Sequence, residues 1–194
     1  MLTIQGIKVN TKTIAVIITF SAITIVLNLS PIKIPAPYAP FLIYQIWEIP
    51  IVAAFLLYGS TAGILITLIN TATLIVVFPG ALPTGPLYNL AAILSMLLGI
   101  GIVKMLIGKH SQKHEAFLAT SFTLSGTILR VGVMAFVNWA FLRFPPPVGY
   151  SMPEEAIIAT IPLVVLFNFT LALYTIPLGY LLEKAVKSSA RIMK

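Results

Sequence analysis

Charged residues are scarce in this sequence, and two residue types are missing altogether. Only 9% of the 194 residues are charged, there is no aspartate and no cysteine, and 59% are hydrophobic. Soluble globular domains carry about 25% charged residues. Without cysteine the chain has no disulfide framework and no thiolate metal site. The composition therefore predicts a protein that is embedded in a lipid bilayer.

Six apolar runs follow one another along the chain. They cover residues 12–29, 41–58, 61–79, 86–107, 116–143 and 156–183. Three of the connections are rich in proline, which is not tolerated inside a helix without losing a hydrogen bond. A helix needs about 20 apolar residues to cross a bilayer. We therefore predict an all-α membrane protein, a single domain over residues 1–194 with six transmembrane helices in one bundle.

Basic residues are unevenly divided between the two ends of such a bundle. One end would hold nine of them, and the other only Lys33 and Arg143. The nine are Lys8, Lys12, Lys104, Lys109, Lys113, Lys184, Lys187, Arg191 and Lys194. The positive-inside rule then predicts a multi-pass protein of the cell (plasma) membrane with both termini in the cytoplasm. Topology thus explains the net charge of +7, and no nucleic-acid partner is expected.

Several polar side chains fall within the apolar runs, where an amide without a partner costs several kcal/mol. They are Gln45, Glu48, Asn89, Asn138 and Asn168, and the aromatic residues Tyr44, Trp47, Tyr88 and Trp139 accompany them. Counting residues from the outer helix ends suggests one cavity open to the outside, in which aromatic rings sandwich a flat solute and amides bind its edge. The alternative is an interfacial aromatic belt with amides that join helices.

Arg130 lies near the middle of the fifth run, where arginine costs at least about 2.5 kcal/mol to insert. It needs an anion, a cluster of carbonyl groups or water. A lock on backbone carbonyls is the favoured interpretation, and a pair with Glu48 or a bound anionic substrate are the alternatives. His110 and His114 have metal-ligand spacing but lie in a lysine-containing connection, so we expect no metal site. The sequence also offers no activated nucleophile or acid pair, so we do not expect an enzyme.

Four patches carry a resemblance to a known family. In chain order they read YQIWEIPIVAAFLLYGSTAG, GALPTGPLYNLAA, GVMAFVNWAFL and PLVVLFNFTLALY. With the proline-rich first connection, their order resembles the substrate-binding S components of energy-coupling factor (ECF) vitamin transporters, and is most similar to the riboflavin-binding S component. The resemblance implies a six-helix protein that captures a vitamin outside the cell. It also implies riboflavin as the transported substrate, no cofactor, and a transmembrane T component and two cytoplasmic ATPase subunits as partners.

The resemblance can be carried over residue by residue. It implies that Asn89, Asn138, Asn168 and Glu48 bind the substrate. Two positions depart from the family pattern, because Gln45 stands where an acid is expected and Leu171 where a lysine is expected. The first helix of S components generally docks against the T component through small residues, and the first run here offers Ala15, Thr19 and Ala22. Ordinary packing within the bundle is the alternative role for these three residues.

Two alternatives to a riboflavin-binding S component remain open. The first is an S component for another vitamin or heterocycle. The second belongs to a different class, a small membrane-embedded enzyme or assembly factor, which should contain an intramembrane acid pair or metal ligands. The chain contains no P-loop motif, so active uptake requires a partner that hydrolyses ATP.

Overall fold

A computed structural model describes residues 11–77, 82–107 and 115–192. Its elements in chain order are α1 (Thr11–Leu29), β1 (Ile34–Ala36), β2 (Ala39–Tyr44), α2 (Glu48–Tyr58), α3 (Ser60–Val77), α4 (Gly85–Ile107), α5 (Glu115–Phe141) and α6 (Glu154–Ile192). The all-α fold with six helices is confirmed. Apart from the second helix and the end of α6, the helix limits agree with the predicted runs to within two residues.

Four of the helices, α3 to α6, are long and apolar enough to cross a membrane. The segment Thr13–Leu29 of α1 and the whole of α2 are shorter apolar helices. Helix α6 has 39 residues, which at 1.5 Å per residue is about 58 Å, against about 30 Å for the hydrocarbon core of a bilayer. It therefore extends well beyond the predicted end at residue 183 and out of the hydrocarbon.

The second helix begins later than predicted. Residues 41–44 belong to β2, which pairs antiparallel with β1, and the helix covers only Glu48–Tyr58. The prediction of a spanning helix over 41–58 was therefore wrong in its first part. Periodicity cannot separate a short apolar strand from a buried helix segment. Here the prolines of the first connection end α1 and leave an apolar segment that pairs with its neighbour as a hairpin.

Helix α2 forms the centre of the bundle. Ile51, Val52, Ala53 and Ala54 are fully buried, and the helix packs against α1, α3 and α6. A left-handed glycine, Gly59 (φ 94°), follows its last residue. The ammonium group of Lys104 donates to the carbonyl of Leu56 at 3.1 Å, near the negative end of the helix dipole. These features end α2 after 11 residues.

Glycines bring α4 and α5 close together. A Cβ atom at Gly99 would lie 2.5 Å from the carbonyl oxygen of Ser125. The Ser125 hydroxyl donates to the Gly99 carbonyl at 2.9 Å across the same contact. Small residues allow such close approach between helices in a membrane. This contact fixes α5, and hence the polar residues that α5 carries.

Some sequence-based predictions fall on residues that the structure does not describe. The residues outside the described part of the chain include Lys8, Lys109, Lys113, Lys194, His110 and His114. The side chains of Lys12 and Arg191 are also outside it. Within the described part of the chain, no group of three or more His, Cys, Asp or Glu side chains comes together to hold a metal ion.

Candidate functional site

A cavity of about 650 Å³ opens at the end of the bundle where the first, third and fifth connections meet. Ligand pockets usually have volumes of about 300–1,000 Å³. Its walls come from α1, the β-hairpin, α3, α4, α5 and α6. The lining side chains include Asn28, Lys33, Phe41, Leu42, Gln45, Leu74, Leu82, Tyr88, Asn89, Asn138, Leu142, Tyr150, Met152, Thr160 and Val164. The cavity thus combines amides and aromatic rings with an apolar wall.

Four of the ten side chains predicted for a substrate site line this cavity. They are Gln45, Tyr88, Asn89 and Asn138. Gln45 does not lie on a helix as predicted, because it falls between β2 and α2. Its amide oxygen accepts a hydrogen bond from the Trp47 indole, and its main-chain carbonyl accepts one from the Tyr174 hydroxyl at 2.7 Å. Gln45 is therefore held in place by neighbours on both sides.

Asn138 contributes a buried amide to the cavity. One of its Nδ2 hydrogens is donated to the Met134 carbonyl at 2.8 Å, one helical turn earlier. Since a carbonyl only accepts, this bond fixes which end of the amide is nitrogen. The carbonyl oxygen of Asn138 is therefore the acceptor that this side chain offers to a ligand.

The fifth connection covers one side of the cavity mouth. Its Val148 carbonyl accepts hydrogen bonds from the Tyr88 hydroxyl at 2.8 Å and from the Thr84 hydroxyl at 3.3 Å. The Thr84 hydroxyl also donates to the Pro147 carbonyl. Two hydroxyl groups thus attach this connection to the beginning of α4, with the Thr84 proton shared between two carbonyls, and Tyr150 from the same connection lines the cavity.

An ion pair lies in the bundle interior, near the cavity wall. The Arg130 guanidinium donates to both carboxylate oxygens of Glu48, with N–O distances of 2.5 and 3.0 Å. Its Nε donates to the Asn168 amide oxygen at 2.9 Å, and NH1 lies 3.6 Å from the Met96 sulfur. The Asn168 amide nitrogen donates to the carbonyl of Val164, a cavity-lining residue, at 2.9 Å. All three polar residues are less than 5% exposed.

This geometry corrects the favoured interpretation of Arg130. The prediction of a lock on backbone carbonyls was wrong, and the alternative of a pair with Glu48 is what the structure contains. The predicted depths had separated the two residues because Glu48 was assigned to the upper part of a long second helix. As the first residue of the short α2, Glu48 lies deep enough to meet α5.

The ion pair also changes how two predicted site residues are placed. Glu48 and Asn168 use their polar atoms on Arg130 and on the backbone, and neither lines the cavity. A direct role of these two side chains in substrate binding remains a prediction. Within this structure, they hold α2, α5 and α6 together beneath the cavity.

The other four predicted site residues lie elsewhere. Trp47 and Leu171 are buried, at 2% and 3% exposure. Trp139 is 45% exposed, with the Arg143 guanidinium 4.8 Å from its ring centre, as expected of an aromatic residue at a membrane interface. Tyr44 contacts the Thr170 hydroxyl at 2.6 Å and lines a separate apolar groove. Burial raises the pKa of the Tyr44 phenol.

Sequence reasoning missed several lining residues. Asn28 lies at the end of α1 and Lys33 in the first connection, while Phe41 is in β2 and Thr160 in α6. Asn28 carried a usable signal, since it is an amide at the end of an apolar run. Phe41 and Lys33 had none, because their positions depend on the hairpin. Lys33 is the only charged side chain among the described residues that line the cavity.

The residues predicted for partner docking lie on the outer face of α1. Ala15, Thr19 and Ala22 are all exposed, and the Thr19 hydroxyl donates back to the Ala15 carbonyl at 2.9 Å. The Thr19 hydroxyl is therefore satisfied within its own helix. Ala15, Thr19 and Ala22 thus form an exposed strip of small side chains beside larger exposed residues such as Ile18.

Comparison with known proteins gives a structural match. The S component of a bacterial ECF transporter superposes with a TM-score of 0.74 and 24% sequence identity, over 92% of this chain and 97% of that one. The chain has the fold of an ECF S component. No protein-family model and no curated protein matches the sequence. The S-component fold extends over nearly the whole chain, so the fold expected from the four sequence patches is confirmed.

Proposed function

We propose that this protein is the substrate-capture subunit of an ECF-type vitamin transporter in the cell membrane, and that its substrate is riboflavin. The single observation that carries the proposal is the cavity of about 650 Å³ at one end of the bundle, lined by three asparagines, a glutamine and aromatic rings. Rings stack on a flat heterocycle, while amides form hydrogen bonds with its edge. The S-component fold supports the same function.

The absence of acidic side chains from the described lining of the cavity supports a ligand without positive charge. The described residues that line the cavity include no acidic side chain, and Lys33 is the one basic residue among them. The one carboxylate nearby, Glu48, is neutralised by Arg130 at 2.5 Å. A cationic vitamin such as thiamine would therefore enter a cavity that offers it no counter-charge, and we expect it to bind poorly.

Transport would depend on partner subunits. We infer a transmembrane T component and two cytoplasmic ATPases, because this chain has no P-loop of its own. The exposed strip of Ala15, Thr19 and Ala22 is the proposed contact with the T component, since small residues allow another helix to approach closely. The basic residues near the termini support a cytoplasmic location for both ends.

Mass spectrometry of the gently purified protein tests the substrate. We expect a bound small molecule with the mass of riboflavin, which would also colour the protein yellow. A different vitamin or heterocycle would contradict riboflavin and keep the capture function. A ligand that the protein converts to a product would indicate a membrane enzyme instead.

Reconstituted vesicles test the dependence on partners. Vesicles that contain only this chain should bind riboflavin but not accumulate it, even with ATP present. Accumulation driven by an ion gradient alone would indicate a self-sufficient transporter. Ala15→Leu and Ala22→Leu should impair assembly with the T component, while Ile18→Leu, on the same exposed helix but with no change in volume, serves as the matched control.

A further inference from the structure

A second buried amide lines the cavity from a different helix than Asn138. Asn28, at the end of α1, is 7% exposed and lines the cavity. Helix α1 packs against α2 and α3, whereas α5, which carries Asn138, packs against α4 and α6. The two amides therefore line the cavity from helices that do not pack closely against each other.

Asn28 is oriented by a partner that does not itself line the cavity. Its Nδ2 donates to the Oδ1 atom of Asn70 on α3 at 3.2 Å, and Asn70 is 1% exposed. One Nδ2 hydrogen is engaged in this way, which orients the amide and leaves the carbonyl oxygen and the second Nδ2 hydrogen of Asn28 for the cavity. Asn138 is in the same situation, because its nitrogen donates to a backbone carbonyl.

A role as a simple link between α1 and α3 does not account for the Asn28–Asn70 pair. Among the described residues, the Nδ2 group of Asn70 finds no hydrogen-bond partner, and neither do the hydroxyl groups of Ser21 and Thr24 on the face of α1 that carries Asn28. A contact that only joined α1 to α3 would be more stable with apolar residues, since unpaired buried polar groups are unfavourable. Orientation of Asn28 towards a ligand accounts for a buried amide at position 70.

We propose that Asn28, positioned by Asn70, is a second ligand-binding amide, and that together with Asn138 it selects a flat heterocycle with a hydrogen-bonding group at each of two ends. This inference rests on the proposed capture function and narrows the class of substrate. Riboflavin meets the requirement with its ring N3–H and its polyol hydroxyls. Lumiflavin lacks the polyol, and N3-methylriboflavin lacks the ring N–H.

Equilibrium binding of these three flavins tests the selection. Each analogue should bind the wild-type protein at least about tenfold more weakly than riboflavin, because each loses the hydrogen bond to one of the two amides. In Asn28→Ala, the difference between riboflavin and one of the analogues should disappear. In Asn138→Ala, the difference for the other analogue should disappear. If both differences survive in Asn28→Ala, the proposed role of Asn28 is wrong.

A double-mutant cycle tests the positioning role of Asn70. Asn70→Ala should remove the same analogue difference as Asn28→Ala, and the double variant should be no worse than Asn28→Ala alone. A purely structural role would weaken all three flavins equally and would refute positioning. Thr24→Val is the control, because Thr24 is buried on the same helix face but does not line the cavity.

Cysteine accessibility tests Asn28 without depending on which ligand binds. The chain has no cysteine, so one introduced thiol is the only one present. In detergent, Asn28→Cys should react with a small hydrophilic thiol reagent, whereas Thr24→Cys should not. An unreactive Asn28→Cys in a folded, monodisperse protein would overturn the inference. If Asn28→Cys reacts but wild-type protein binds no flavin, riboflavin as the substrate is refuted while the accessible position of Asn28 is supported.

Discussion

Replacing Glu48 by leucine should destabilise this protein severely, because it leaves the Arg130 guanidinium buried without its counter-charge. Arg130 is 2% exposed, and two of its donor groups bind the carboxylate at 2.5 and 3.0 Å. After the change only the hydrogen bond from Nε to Asn168 remains among its contacts with oxygen atoms. Removing one partner of a buried ion pair costs about 3–5 kcal/mol. We expect Glu48→Leu to fall in that range.

A double substitution distinguishes the loss of the Arg130 counter-charge from a loss of packing. Glu48→Leu combined with Arg130→Met removes both charges and roughly preserves volume, and such replacements are often neutral or stabilising. The double variant should therefore be more stable than Glu48→Leu alone. Glu48→Gln should lie between the two, since it keeps the shape and one acceptor but loses the charge.

Tryptophan fluorescence during denaturant titration in detergent measures this effect. Trp47 precedes Glu48 and is 2% exposed, so its emission reports unfolding of this region. The other tryptophan, Trp139, is replaced by phenylalanine in all variants to leave a single signal. A cost below about 1 kcal/mol for Glu48→Leu, typical of exposed pairs, would refute a desolvated pair. The idea of a desolvated pair would also be refuted if the double variant lost as much stability as Glu48→Leu and Arg130→Met lose separately, added together.

Five further substitutions probe the site, the packing and the topology. Asn138→Ala should weaken riboflavin binding by roughly 1–3 kcal/mol in a flavin titration, whereas Asn168→Ala should mainly lower thermal stability. Gly99→Ala should cost about 1–3 kcal/mol in denaturant titration, because its Cβ would lie 2.5 Å from the backbone of α5. In intact cells, Ser151→Cys should react with an impermeant thiol reagent and Ser188→Cys should not; the opposite pattern would reverse the topology.

Long apolar runs made most of the fold predictable. The limits of α1, α3, α4 and α5 follow from hydrophobic length and from prolines, which depend only on local sequence. The hairpin was not predictable in this way, because Phe41 to Tyr44 are as apolar as the helix that follows them. Only the pairing of this segment with β1, a contact between separate segments, makes it a strand.

The chemistry of the site was easier to predict from the sequence than the identity of the residues that line it. Buried amides and aromatic residues were visible in the sequence, and Asn138 and Tyr88 do line the cavity. Whether an intramembrane amide faces a ligand or another side chain depends on the rotation of its helix. Asn168 faces Arg130 for this reason, whereas Asn28 faces the cavity. The depth of Glu48 could be read only once the length of α2 was known.

Titration of the purified chain with riboflavin, followed by quenching of flavin fluorescence, tests the central claim most directly. We expect saturable binding of one riboflavin per chain, weakened by Asn138→Ala and unchanged by Ser188→Ala, a matched substitution that does not touch the cavity. Saturable binding that no cavity-lining substitution alters would place the ligand elsewhere. Absence of binding to riboflavin and to every other vitamin offered would contradict a capture function for this protein.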